Sequence, residues 1–143
     1  NKTAYVFSIG MLMSYDYYPM AAVMAGGMIP PFVIALTATL FKDRFEVRKD
    51  ALMNYINGIS FISEGAIPFI QKESQIILPA CCLSAGLAGA LSMYFNCSIA
   101  SPHGGLFLIW MIQNPISYLS LIVCSTCVGT ILLILFTKLK KES

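Results

Sequence analysis

From Ser74 through Thr137 the sequence contains no Asp, Glu, Lys or Arg, an uninterrupted run of 64 residues in a chain of 143. A water-soluble domain must cover its outer face with polar groups, and an uncharged tract of that length leaves nothing to hold water. Only 11% of the chain is charged and 57% is hydrophobic, against roughly 25% charged residues in soluble domains. The chain is therefore read as a membrane protein. A net charge of +2, with no basic patch interleaved with exposed aromatics, excludes nucleic acid as a partner. Of the five cysteines, Cys81, Cys82, Cys124 and Cys127 sit in apolar runs where a thiol packs as a small hydrophobic group, so no disulfide framework is implied. The chain opens at Asn1 without an initiator Met or a leader pattern, and a fragment or processed piece is expected.

A spanning helix needs about 20 apolar residues to cross roughly 30 Å of hydrocarbon. Thr3–Tyr15 is too short to cross alone and ends at the polar cluster Ser14-Tyr15-Asp16-Tyr17-Tyr18-Pro19. Tyr17–Phe41 is long enough, but Gly26, Gly27, Pro30 and Pro31 interrupt it, and a proline pair removes two helical hydrogen bonds, so a kinked or broken span is expected. The dense charge run from Lys42 to Asp50 and the terminal Lys138, Lys140 and Lys141 both belong on the cytoplasmic side by the positive-inside bias. The number of crossings between them is then even, and Ser74–Phe95 and Ile116–Thr137 supply two.

Two segments remain, Ala51–Gln71 with Gly58, Gly65 and Pro68, and Asn96–Pro115 with Pro102, Gly104, Gly105 and Pro115. Irregular backbone at membrane depth survives only where protein or a water-filled cavity satisfies its hydrogen bonds. Both read as re-entrant hairpins, with full crossings as the alternative, because a uniformly apolar segment has no face to read. The expected fold is an all-α polytopic membrane protein with broken transmembrane helices and two re-entrant hairpins.

Glu64 is the sharpest chemical signal, a carboxylate between Phe61-Ile62-Ser63 and Gly65-Ala66-Ile67-Pro68-Phe69. A charge at mid-membrane costs at least ~2.5–3.5 kcal/mol and normally faces a cavity or a partner. The plainer alternative is a cap on a half-helix near the headgroups. His103, the single histidine, lies in Ser101-Pro102-His103-Gly104-Gly105, where the glycines admit close backbone approach and a neutral imidazole both donates and accepts. No metal site is expected, since Cys97 and His103 lack the further ligands one needs. Cys124-Ser125-Thr126-Cys127 lies inside a lipid-length helix and reads as packing. Gly86-Leu87-Ala88-Gly89-Ala90 allows tight helix packing, within the protomer or in a dimer. Asp16 among its tyrosines reads as an interfacial anchor. Gln113-Asn114-Pro115 either completes a site or ends a half-helix, and the basic loop from Lys42 to Lys49 sets orientation rather than docking a partner.

The stretches Asn1–Tyr5 and Ala21–Pro31, then FISEGAIPF at 61–69 and SPHGG at 101–105, resemble the enzyme IIC membrane component of the fructose-specific bacterial phosphotransferase system. Ser63 stands where the family pattern has Thr, and Ser101 where it usually has Ala. The resemblance implies that residues 1–143 are the C-terminal part of a sugar-permease membrane domain in the bacterial cytoplasmic membrane, with no soluble domain and no cofactor. It implies a fructose-type sugar bound near mid-membrane by Ser63, Glu64, Gly65, His103, Gly104 and Gly105. Phosphate would come from a phosphocysteine on a separate enzyme IIB domain, with Glu64 as candidate base and His103 orienting the hydroxyl. A homodimer in membrane lipid is expected. The competing readings are an ion- or proton-coupled carrier using Glu64 and His103 as a relay, and a purely structural subunit.

Overall fold

The structure, a computed structural model, describes residues 2–41, 48–101 and 105–142. Those residues form six helices: α1 (Lys2–Met13), α2 (Tyr18–Leu40), α3 (Arg48–Ile59), α4 (Ile67–Lys72), α5 (Ser74–Tyr94) and α6 (Pro115–Glu142). Two 3-10 turns, Ser63–Ala66 and Gly105–Met111, complete the regular structure. Three helices, Tyr18–Leu40, Ser74–Tyr94 and Pro115–Lys140 within α6, are long and apolar enough to cross a membrane. The intervals expected at Ser74–Phe95 and Ile116–Thr137 are thus helical, α5 ending one residue sooner and α6 running on past Lys138 to Glu142.

Of the kinked or broken span expected at Pro30-Pro31, the break is corrected, because α2 runs as one helix through both prolines. A proline ring in a helix clashes with the carbonyl four residues back. Here those positions are Gly26 and Gly27, whose backbone yields most easily. Packing then holds the rod: Met20, Ala21, Met24, Ala25, Met28, Ile29, Val33, Ile34 and Ala38 are all fully buried. Pro79 is likewise inside a continuous α5.

The burial pattern makes α2 the central element, with α1, α3, α5 and α6 packed around it. Small residues set its spacing from α5. A Cβ on Gly26 would lie 3.1 Å from the Ala85 carbonyl oxygen, and one on Gly89 would lie 3.5 Å from that of Ala22. The pairs Ala22/Gly89 and Gly26/Ala85 run in opposite directions along the two helices, so α2 and α5 meet antiparallel through small residues four apart, the arrangement that lets helix backbones approach in lipid. The Gly89 expectation is met there, and a Cβ on Gly86 would meet nothing within 4 Å beyond its own helix. On the other side a hydrogen bond between Thr39 Oγ1 and Tyr55 Oη (2.9 Å) ties α2 to α3.

Between α5 and α6 the chain departs and returns to nearly one place. Asn96 adopts φ 52° and closes α5, with Asn96 N–H donating to Met93 O (3.1 Å) and Cys97 N–H to Ser92 O (2.9 Å). This is the paired bonding of a Schellman stop. Gln113 N–H then donates to Ser98 O (3.0 Å), Ser98 Oγ to Gln113 Oε1 (3.0 Å), and Asn114 Nδ2 to Phe95 O (3.3 Å). Gln113 and Asn114 therefore clamp the two ends of this segment. Ile99 N–H donates to Tyr17 O (3.3 Å), which pins the clamp to the start of α2. The other side of that corner is Asp16, whose carboxylate accepts from Tyr18 N–H (3.3 Å). The charge run expected to orient the chain lies largely outside the described residues, at 42–47.

Candidate functional site

The glutamate motif begins where α3 ends. Phe61 N–H donates to Gly58 O (3.2 Å) and Ile62 N–H to Asn57 O (2.7 Å), again the two bonds of a Schellman stop, with Phe61 in the left-handed position that usually falls to glycine. Phe61 has φ 61°, a conformation that costs an L-residue roughly 1–2 kcal/mol. Strain of this kind persists only where the surroundings over-determine it. The chain then folds into the single 3-10 turn Ser63–Ala66, with Gly65 N–H donating to Ile62 O (3.3 Å). Pro68 in the first turn of α4 starts the return, and Glu73 closes it with its carbonyl accepting from Ile76 and Ile77 of α5.

The turn packs on α2, α3 and α4. Ala66 is buried, Ser63 and Gly65 are half-buried, and the Glu64 side chain is exposed. Gly65 lies against two carboxamides of α3: a Cβ there would overlap Asn57 Nδ2 and Asn54 Oδ1 and sit 2.9 Å from Asn57 Cγ. Asn54 Oδ1 accepts from Asn57 Nδ2 (3.1 Å), and Asn54 Nδ2 donates to Asp50 O (3.4 Å). Beside this pair opens a cavity of about 470 Å³ lined by Asp50, Asn57, Gly65, Phe69 and Lys72, within the size range of small-molecule sites.

The second motif meets the first through backbone. Gly105 has φ +52°, and a Cβ on it would overlap Ile59 O and lie 3.0 Å from Phe61 N. The end of the histidine motif is thus pressed on the turn that presents Glu64, three residues further along. His103 and Gly104 lie outside the described residues, as does Pro102.

Asp50, Asn54, Asn57 and Lys72 escaped the sequence reading. The signal available was the spacing of Asn54 and Asn57, three apart and so on one helix face, directly before the glutamate motif. A separate apolar cavity of about 330 Å³, between Phe32, Leu36, Leu106 and Ile122, offers little polar surface for a sugar. The thiols of Cys124 and Cys127 are free and lie in α6, and among the described residues no group of His, Cys, Asp or Glu is placed to hold a metal. Burial pushes the Cys97 thiol above its ordinary range.

No protein-family model and no solved structure matches the chain. It is similar to the PTS system fructose-specific EIIB'BC component of Vibrio cholerae, with 44% identity over 91% of this chain and 23% of that protein. To the fructose permease IIC component of Bacillus amyloliquefaciens it is 38% identical over 99% of this chain and 47% of the relative. To the PTS system fructose-specific EIIC component of Haloferax volcanii it is 34% identical over 92% of this chain and 36% of the relative. The chain thus spans between about a quarter and a half of the length of these relatives. By homology along nine-tenths or more of its own residues, this chain matches the C-terminal region of fructose-specific PTS EIIC components, as its glutamate and histidine motifs imply.

Proposed function

We propose that this chain is the part of a fructose-type sugar permease that binds the sugar and presents it for phosphorylation. The observation that carries the reading is the contact of Gly105 with the Ile59–Phe61 backbone, which brings the two motifs, some forty residues apart, onto one turn. Residues 1–143 act as one membrane domain. α3 is 12 residues long, about 18 Å at 1.5 Å per residue, so an α3 that starts at the cytoplasmic surface carries Glu64 to roughly the middle of a ~30 Å hydrocarbon layer. α3, the 3-10 turn and α4 then form one re-entrant hairpin, and the clamped segment between α5 and α6 forms the other.

The sugar lies against this turn. Glu64 accepts hydrogen bonds from its hydroxyls and takes the proton of the attacking one; His103 orients that hydroxyl; Ser63, Gly65, Gly104 and Gly105 supply close backbone approach. The phosphoryl donor is a phosphocysteine on an enzyme IIB domain: the sugar oxygen bonds to phosphorus as the sulfur–phosphorus bond breaks. Such a transfer needs an in-line hydroxyl and a proton acceptor, and a preorganised turn provides both. The protein sits in the cytoplasmic membrane as a homodimer, and the open face at Gly86 leaves room for a neighbouring helix. The phosphotransferase names of the relatives leave the ion-coupled carrier without support.

The test is uptake by membrane vesicles holding the intact permease. Phosphorylated sugar should accumulate inside, dependent on phosphoenolpyruvate and insensitive to an uncoupler, and Glu64→Gln, which keeps shape but removes the base, should abolish phosphorylation. Normal turnover by Glu64→Gln would remove Glu64 from the mechanism, and free sugar accumulating with the proton gradient would replace it with coupled transport.

A further inference from the structure

We propose that Asn57 is a sugar-hydroxyl ligand beside Glu64, held in a single orientation by Asn54, and that it sets which hydroxyl configuration the site accepts. The inference rests on the sugar-site reading given above. Asn54 is only 1% exposed, and a buried carboxamide must have its hydrogen bonds made. Its Nδ2 donates to the Asp50 carbonyl (3.4 Å), which can only accept. Asn54 Oδ1 therefore faces Asn57 and takes the hydrogen from Asn57 Nδ2 (3.1 Å). This chain of donors, Asn57 to Asn54 to the α3 backbone, leaves Asn57 no freedom to turn its amide over.

The consequence is chemical. A carboxamide has two N–H donors and a two-lone-pair acceptor, and Asn54 uses one donor. One N–H and the Oδ1 of Asn57 remain, and among the described residues neither has a hydrogen-bond partner. Asn57 lines the cavity of about 470 Å³ and contacts Gly65, the residue after Glu64. A donor and an acceptor side by side match two neighbouring hydroxyls, one accepting and one donating. Two such bonds fix the relative configuration of adjacent carbons, because an epimer turns one hydroxyl away and leaves a polar group unpaired. The lining also carries one carboxylate, Asp50, and one ammonium, Lys72, a balance that suits a neutral polyol.

The experiment compares equilibrium binding of D-fructose and its epimers psicose, tagatose and sorbose by the intact permease in membrane vesicles, for the parent, Asn57→Ala, Asn54→Ala and Glu64→Gln. Asn57→Ala should weaken fructose binding about tenfold and the mismatched epimer far less, narrowing the preference. Asn54→Ala, which frees Asn57 to rotate, should shift selectivity in the same sense by a smaller factor. If Asn57→Ala does not accumulate in the membrane, Asn57→Asp keeps the shape and the acceptor, and serves the same comparison. Unchanged fructose affinity, or equal weakening of all four sugars, overturns the proposal, since a merely structural role lowers every affinity alike. Loss of fructose binding in Glu64→Gln alongside an unaltered Asn57→Ala overturns this inference alone. Undiminished fructose binding by Glu64→Gln overturns the sugar-site reading instead.

Discussion

Gly105 rests on the carbonyl oxygen of Ile59 so closely that a Cβ at position 105 would overlap it. The contact joins the last glycine of the histidine motif to the helix stop that launches the glutamate motif. It is backbone against backbone, so neither side can rotate away.

Gly105→Ala should therefore cost more than the ~1–2 kcal/mol of a left-handed alanine, because its methyl also meets Ile59 O and Phe61 N. The melting temperature of the purified membrane protein should fall by several degrees, and sugar phosphorylation should be lost. A variant that melts and transports like the parent would refute the docking of the two motifs.

Gly65→Ala should displace the Glu64 turn, since its methyl would occupy the place of the Asn57 and Asn54 carboxamides. Sugar affinity should fall at least tenfold while the protein still reaches the membrane.

Gly129 lies where α6 meets the other two long helices, and a Cβ on it would sit 2.5 Å from Val33 Cγ2 and 2.7 Å from Ser84 Oγ. Gly129→Ala should destabilise by about 1–3 kcal/mol, the usual cost of overpacking. Gly10→Ala, with nothing within 4 Å, should be neutral or stabilise by up to ~1 kcal/mol. Thermal unfolding of the two variants in one detergent compares them directly.

Cys97 holds its proton more tightly when folded than its ordinary value of 9.0 would allow, because burial disfavours the thiolate. The folded state thus keeps a proton that the unfolded chain releases. Stability from this group is whole below about pH 9 and declines as pH rises beyond it. Cys97→Ala should lose that component, so the parent and variant melting temperatures should converge or cross only above pH 9. Parallel curves across the range would count against a buried thiol.

The sequence alone determined the class of the protein and singled out the residues on which the proposed chemistry rests. Sixty-four residues without charge exclude a water-exposed face, and Glu73 immediately precedes the first residue of α5, whereas α6 continues past Lys138 to Glu142. Glu64 was legible because a carboxylate amid apolar neighbours is costly and so conspicuous. Tertiary structure decided the rest. Pro30 and Pro31 read as a kink or a break, and α2 is one continuous helix, because buried packing along its length outweighs two missing hydrogen bonds. Asn54 and Asn57 look like ordinary polar residues of a short helix until Gly65 folds back onto them. The meeting of Gly105 with Ile59 has no local signature at all. Periodicity and charge act over a few residues along the chain, whereas contacts between distant segments depend on how helices stack, which a one-dimensional pattern does not carry.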